Sequence, residues 1–316
     1  MRIGRRSDLG SKLASAMASS ERASRCSRSD IRVLRAAIDR RLKALFPRGD
    51  EETGLEQAIR YAVLTPGKRI RPALTVLAAW ELGRDDLAAL DPGCALEMVH
   101  AASLVLDDLP CMDDAPLRRG EPATHRAFGE DVAVLASVAL LSRAFATIGS
   151  APGLSAEQRL RLIDILAEAV GTQGLAGGQF RDLRGGDERR AVAAFSDANH
   201  RKTGALFVAA VEMAGVVAQA SEARIEELRA FATDLGQAFQ IMDDLEDGSG
   251  GENGLGEDGA KVTVLSFLGR DGARGHLERH LAQARAALRP EGGLAMFVGA
   301  VFAEKTGRAN GFQPRI

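Results

Sequence analysis

The sequence predicts an all-α fold, a large helical bundle in one domain. Three observations carry this. Apolar residues recur at steps of three and four almost everywhere after Asp30. Alternating stretches of strand length are absent. Aromatic residues, which favour strands, make up only 4% of the 316 residues.

The first helix is "SDIRVLRAAIDRRLKALF", with Ser29 or Asp30 as its cap and Ile31, Leu34, Ile38, Leu42 and Leu45 on one face. Breaks are expected at "FPRGDEETG", "TPGKRI", "LGRDD", "DPG", "SAPGLS" and "LRGGDE", each mixing Gly or Pro with Asp, Ser or Thr. A late helix, "ARIEELRAFATDLGQAFQIMDDLED", repeats the pattern with Ile225, Leu228, Phe231, Leu235, Phe239 and Met242. No fixed-period repeat and no long linker divides the chain, so residues 30–316 read as one domain. Residues 1–29 are rich in Ser and Arg and read as a disordered extension. An organelle transit peptide has the same bias, but Asp8 and Glu21 weigh against it.

Bulk properties narrow the function. Hydrophobic residues at 46% and charged residues at 27% fit a soluble globular protein. A net charge of −2 argues against a general nucleic-acid binder, which carries a basic excess. Cys26, Cys94 and Cys111 form no CxxC or Cys/His spacing, which argues against zinc and makes a cytoplasmic, reducing setting the expectation. No uninterrupted apolar run approaches the roughly 20 residues of a membrane span.

Chemistry concentrates in two acidic clusters. "HAASLVLDDLPCMDDAPLRRG" ends an apolar helix with Asp107, Asp108, Asp113 and Asp114. On a continuous helix Asp107 and Asp113 would lie about 240° apart and could share no ligand. Pro110 interrupts the helix, so a turn should swing Asp113 back beside Asp107. In "FQIMDDLED", Asp243 and Asp247 sit four apart on one face, with Asp244 beside them. One such cluster is as readily a solvated patch. Two, each ending an apolar helix, point to a cation that offsets their repulsion. Mg²⁺ suits them, since it takes one or two carboxylates and completes its shell with phosphates. Calcium has no EF-hand spacing in its favour.

Basic residues accompany the acidic ones: Arg118 and Arg119, then Lys68, Arg69 and Arg71 in "GKRIRP", Lys202 with Thr203, and Lys261. Acidic metal sites next to several phosphate-binding cations suggest two polyphosphates held side by side. "GSGGENGLGEDG", residues 248–259, holds six glycines in twelve residues and reads as a surface loop or a lid.

With these motifs in hand, the chain resembles the trans-isoprenyl diphosphate synthases, most closely the bacterial geranylgeranyl type. The resemblance rests on "GKRIRP", "HAASLVLDDLPCMDDAPLRRGEPATH", "GLAGGQFRDL", "KTGALF" and "GQAFQIMDDLED", in the family's order over roughly residues 30–290. It implies an all-α isoprenoid synthase bundle with both aspartate motifs facing a central cavity. It also implies three Mg²⁺ ions at Asp107, Asp108, Asp113, Asp243, Asp244 and Asp247. By the same resemblance Arg118, Lys202, Thr203, Gln240 and Lys261 hold an allylic diphosphate. Lys68, Arg71, His100 and Arg119 hold isopentenyl diphosphate. His100 lies seven residues before Asp107, nearly on the same helix face, which supports its placement independently.

The implied reaction is ionisation of the allylic substrate, attack by the alkene of isopentenyl diphosphate and loss of a proton. A homodimer is a further family expectation. Ala102 and Ser103, five and four residues before Asp107, lie roughly 6–8 Å along the helix. Fifteen-carbon synthases of the family commonly carry an aromatic plug at this level. Small residues here, and the four-residue "LPCM" spacer, imply a twenty-carbon product. Ala102→Phe is then expected to shorten it. A farnesyl-type synthase is the alternative. A terpene cyclase lacks the Asp243/Asp244/Asp247 pattern, and a non-catalytic partner subunit tends to lose aspartates. The family's Gly-Lys-Asp after the second motif is Gly256-Glu257-Asp258 here, and the loop is shorter.

Overall fold

A computed structural model describes residues 28–184, 204–247 and 264–305. Residues 1–27 of the expected N-terminal extension and the glycine-rich segment lie outside them. In order, the elements are α1 (Arg28–Leu45), α2 (Gly54–Leu64), α3 (Ile70–Glu81), α4 (Leu90–Asp107), β1 (Leu117–Arg118), β2 (Glu121–Pro122), α5 (Thr124–Phe128), α6 (Glu130–Gly149), α7 (Ala156–Val170), α8 (Leu175–Arg184), α9 (Ala205–Ala218), α10 (Glu222–Asp247), α11 (Val264–Ala286) and α12 (Gly293–Lys305). The fold is all-α. The antiparallel pair β1–β2 is the only sheet among the described residues.

The predicted faces are the buried ones. In α1, Leu34, Ile38, Leu42 and Leu45 are buried, and Ile31 is half-buried. α1 begins at Arg28, slightly ahead of the expected caps. In α10, Ile225, Leu228, Phe231, Leu235 and Met242 are buried, and Phe239 is half-buried. Two helices start with reciprocal caps, Thr53/Glu56 before α2 and Ser155/Gln158 before α7.

The centre is built by α3 and α9. Every residue of α3 from Ile70 to Trp80 is buried, and nine of the fourteen residues of α9 are. A helix apolar on all sides must be surrounded. α3 packs on α9 and α4, α4 on α6, and α10 on both α9 and α11.

One sequence expectation is corrected. "DPG" is no break: Asp91, Pro92 and Gly93 lie within the first turn of α4. Proline fits there because the first helical N–H groups have no intrahelical acceptor. Gly93 is where α4 meets α3, since a Cβ would fall 2.9 Å from the Pro72 Cα. By length and composition alone α6 is apolar enough to cross a membrane, with mean hydropathy 1.8, a test that a buried core helix also passes. Polar interruptions hide this from a run-length reading. One face of α6 is buried through Ala133, Ala136, Ser137, Leu140 and Ala144.

Candidate active site

The first aspartate motif is a helix end folded back on itself. α4 stops at Asp107, and the Asp113 N–H donates to the Asp107 carbonyl at 2.9 Å. Met112 and Asp114 N–H groups both donate to the Leu109 carbonyl, at 2.9 and 3.1 Å. Asp114 takes a left-handed φ of 45°, which aspartate tolerates. The turn therefore returns Asp113 to Asp107, as the Pro110 interruption predicts.

The next strand pair delivers two guanidiniums. Arg119 and Gly120, with φ of 56° and 84°, make the tight turn of the β1–β2 hairpin. Arg118 grips Asp108: its Nε donates to both carboxylate oxygens at 3.1 Å, and Nη2 donates to Oδ1. Asp108 is only 2% exposed. That pairing, reinforced by Asp107 and Asp113, raises the Arg118 pKa. The hairpin is tied to α2, where the Tyr61 hydroxyl donates to the Pro122 carbonyl at 2.7 Å. Arg119 Nη1 donates to the Pro66 carbonyl at 3.2 Å. It lies so close to Gly67 that a Cβ there would fall 2.4 Å from it.

The "PGKRIRP" stretch brings in the remaining cations. Arg69 is buried with left-handed φ of 51° and caps the entry to α3. Its guanidinium donates to Glu97 at 2.8 Å, to Asp39 at 2.8 Å and to the Thr65 carbonyl at 3.1 Å. Arg35 donates to the Gly67 carbonyl at 2.8 Å. Lys68 is exposed. Arg71 is buried with its guanidinium 5.1 Å from the Phe207 ring centre, a cation–π contact. Its Nε has no hydrogen-bond partner among the described residues. Burial pushes the Arg71 pKa down to about 10, with Glu97 and Asp243 pulling the other way and Arg119 adding to the depression. It stays charged at neutral pH.

His100, Glu97, Asp108, Arg118, Arg119 and Tyr61 line one narrow crevice of about 30 Å³. Burial, then the charges of Arg71, Arg119, Arg118 and Arg69, hold the His100 pKa well below 6.5. His100 is therefore a neutral imidazole at neutral pH.

The second aspartate motif closes α10. Asp243 is half-buried and within electrostatic reach of Arg71. Asp244 is buried and accepts from Gln240 Nε2 at 2.9 Å. Asp247 is the last residue of α10. A chain of charges thus joins the two motifs, from Asp107 and Asp113 through Arg118 and Arg119 to Arg71 and Asp243. No three metal-ligating side chains converge on one point among the described residues. Hard oxygen donors that do not close a cage by themselves fit Mg²⁺ completed by phosphate oxygens and water. Lys202, Thr203, Lys261 and Glu257 lie outside the described residues.

The structure separates the two small residues on α4. Ala102 is buried at 1%, and its carbonyl accepts from Ser137 of α6 at 3.3 Å. Ser103 is half-buried and donates back to the His100 carbonyl at 2.9 Å. At 100° per residue Ser103 lies about 40° from Asp107 around the helix, and Ala102 about 140°.

Sequence reasoning missed Glu97, Asp39, Tyr61 and Gln179. Glu97 had one signal, a carboxylate inside the apolar run "GCALEMVHAASLVL". Gln179, in "GLAGGQFRDL", is buried with neither amide atom hydrogen-bonded to a described residue. Unpaired amides of this kind mark places where another group docks.

Known proteins share both sequence and fold. The family described as "Polyprenyl synthetase" matches residues 52–263. A geranylgeranyl diphosphate synthase of Pantoea ananas is 48% identical over 255 residues, 78% of this chain and 83% of that protein. A farnesyl diphosphate synthase of Bacillus subtilis is 36% identical over 267 residues, 82% and 89% of the two chains. Among solved structures, the FPP/GFPP synthase of Zymomonas mobilis superposes with a TM-score of 0.75 at 34% identity, covering 87% of this chain and 96% of that one. The geranyltransferase of Legionella pneumophila gives 0.79 at 28%, covering 90% and 98%. With a match of that extent across the segment that carries both aspartate motifs, the chain belongs to the polyprenyl synthetase family.

Proposed function

We propose that this chain is a Mg²⁺-dependent trans-prenyltransferase that condenses isopentenyl diphosphate with allylic diphosphates to make geranylgeranyl diphosphate. The observation that carries the reading is the charge chain linking the two aspartate motifs through Arg118, Arg119 and Arg71. It provides oxygen donors for cations at both ends and guanidiniums between them. The geranylgeranyl synthase of Pantoea ananas, 48% identical, supports the product class.

Mg²⁺, three ions by family likeness, supplies positive charge to the diphosphate that departs from the allylic substrate. Asp107, Asp113, Asp243, Asp244 and Asp247 would hold it. Asp108 takes part through Arg118, which occupies both of its oxygens here. Arg118, Lys202, Thr203, Gln240 and Lys261 bind the allylic diphosphate. Lys68, Arg71, His100 and Arg119 bind isopentenyl diphosphate, with His100 neutral and able to donate one hydrogen bond. Guanidiniums held beforehand by Glu97, Asp39, Asp108 and backbone carbonyls need little reorganisation when the leaving group develops charge. Attack of the isopentenyl alkene on the allylic carbon forms the carbon–carbon bond, and a proton then leaves.

Ser103, on the Asp107 side of α4, borders the growing chain in this reading. The exposed apolar residues Val134, Leu135 and Val138 of α6 form the contact of a homodimer. A cytoplasmic setting is proposed with them.

The test is a product assay on the purified chain carrying Asp107→Ala or Asp243→Ala. Each is expected to cut elongation by about 10²-fold or more, as loss of a principal electrostatic group does. Full activity in both would overturn the reading.

A further inference from the structure

The crevice beside the first aspartate motif contains a carboxylate that the reaction does not use. Glu97 sits on α4 one turn before His100 and is 3% exposed. A buried carboxylate needs a strong local reason, since isolated ionised groups are costly away from water. The reason is on every side of it. Arg69 donates to Glu97 Oε1 at 2.8 Å. Arg71 and Arg119 both feel its charge directly. These guanidiniums come from three places in the chain: the entry to α3, the first turn of α3 and the β1–β2 turn.

Like charges gathered from separate elements repel one another: Arg119 adds to the depression of the Arg71 pKa, and Arg69 and Arg118 add to that of Arg119. Something must hold them together before an anion arrives. Arg69 itself is fixed by Asp39 of α1 as well as by Glu97. It is therefore a brace, with Nε and Nη1 committed to carboxylates of this chain. Arg71 differs, with a buried Nε lacking any described partner. Among the described residues, Arg119 is anchored through carbonyls of the Thr65–Pro66 stretch.

We infer that Glu97 is a positioning residue for the isopentenyl diphosphate site, acting through Arg69 on the "PGKRIRP" turn and drawing Arg71 and Arg119 toward a common point. This rests on the reading above. The brace extends beyond the segment that defines the family, because Asp39 and Arg35 belong to α1, ahead of residue 52. Glu97 touches neither substrate nor metal in this account, so its loss acts on affinity at one site.

The experiment is steady-state kinetics on Glu97→Gln and Glu97→Asp in the full chain, varying isopentenyl and geranyl diphosphate separately. Glu97→Gln is expected to raise KM for isopentenyl diphosphate by about tenfold, with the KM for geranyl diphosphate within about twofold. Glu97→Asp, which keeps the charge, is expected to recover part of the loss. Calorimetric titration of inorganic diphosphate into Mg²⁺-free protein gives a second readout, with weakening of the same size. A KM for isopentenyl diphosphate that is unchanged or lower in Glu97→Gln overturns the inference. So does a rise shared equally by both substrates, which marks a general structural role. If Glu97→Gln fails to fold, Glu97→Asp and the diphosphate titration carry the test, and wild-type affinity in both overturns it. Failure of the wild-type chain to elongate any starter is a separate result and strikes the proposed function instead.

Discussion

The carboxylate of Asp108 is shielded from water almost completely, so its partner Arg118 cannot be lost without leaving a buried charge unpaired. Arg118 itself is 38% exposed, which reduces the penalty through solvent screening. Arg118→Ala is expected to destabilise the protein by about 2 kcal/mol, less than the loss of a fully buried pair. Asp108→Asn removes the buried charge and should cost less. Thermal denaturation of both variants checks the order. His100 makes a second residue-level prediction. Its folded pKa lies below the ordinary value of about 6.5. Between those two values the unfolded chain binds a proton that the folded protein refuses. Stability is therefore untouched by this group above pH about 6.5 and falls as pH drops below it. Melting temperatures measured from pH 7.5 to 5 should fall less steeply for His100→Gln than for the wild type. Parallel slopes would contradict the shielded, cation-flanked placement of His100.

At the scale of elements, the close approach of α3 and α4 depends on the missing side chain at Gly93. Its Cβ would meet backbone at Pro72, which cannot rotate away. Gly93→Ala should destabilise by about 1–3 kcal/mol, the range for an overpacked contact, seen as a lower denaturation midpoint. α4 also decides product length in this account. Ala102 is buried, with its carbonyl held by Ser137 of α6, so Ala102→Phe overpacks the core at that level. Ser103→Phe places the ring on the Asp107 side and is expected to shift the product from twenty to fifteen carbons. An unchanged product in a folded Ser103→Phe variant refutes the placement.

What the sequence foretold follows the same local logic. The Asp107–Asp113 turn was legible because a proline in a helical run leaves few alternatives. The apolar faces of α1 and α10 were legible from their spacing. The first turn of α4 was misread because Asp-Pro-Gly serves equally as a turn and as a helix start. The Glu97–Arg69 pair was invisible, since it joins residues 28 apart in sequence that only the packing of α3 on α4 brings together. Tyr61 could not be read as the anchor of the β1–β2 hairpin either, because its acceptor is a backbone carbonyl.

At the scale of the molecule, a core centred on α3, buried from Ile70 to Trp80, and on the mostly buried α9 carries the charges of α4, the hairpin and α10 on its rim. The outer face of α6 remains apolar, with Leu135 and Val138 more than half exposed. A second copy of the chain is the proposed cover. Val138→Asp is expected to shift the sedimentation profile from dimer to monomer, while a monomeric wild type would contradict that assignment. The chemistry itself is tested by a product assay. The purified chain is incubated with Mg²⁺, isopentenyl diphosphate and each of dimethylallyl, geranyl and farnesyl diphosphate, and the dephosphorylated products are sized. A twenty-carbon alcohol that disappears when Mg²⁺ is chelated is the predicted result. Absence of elongation from every starter would contradict the account.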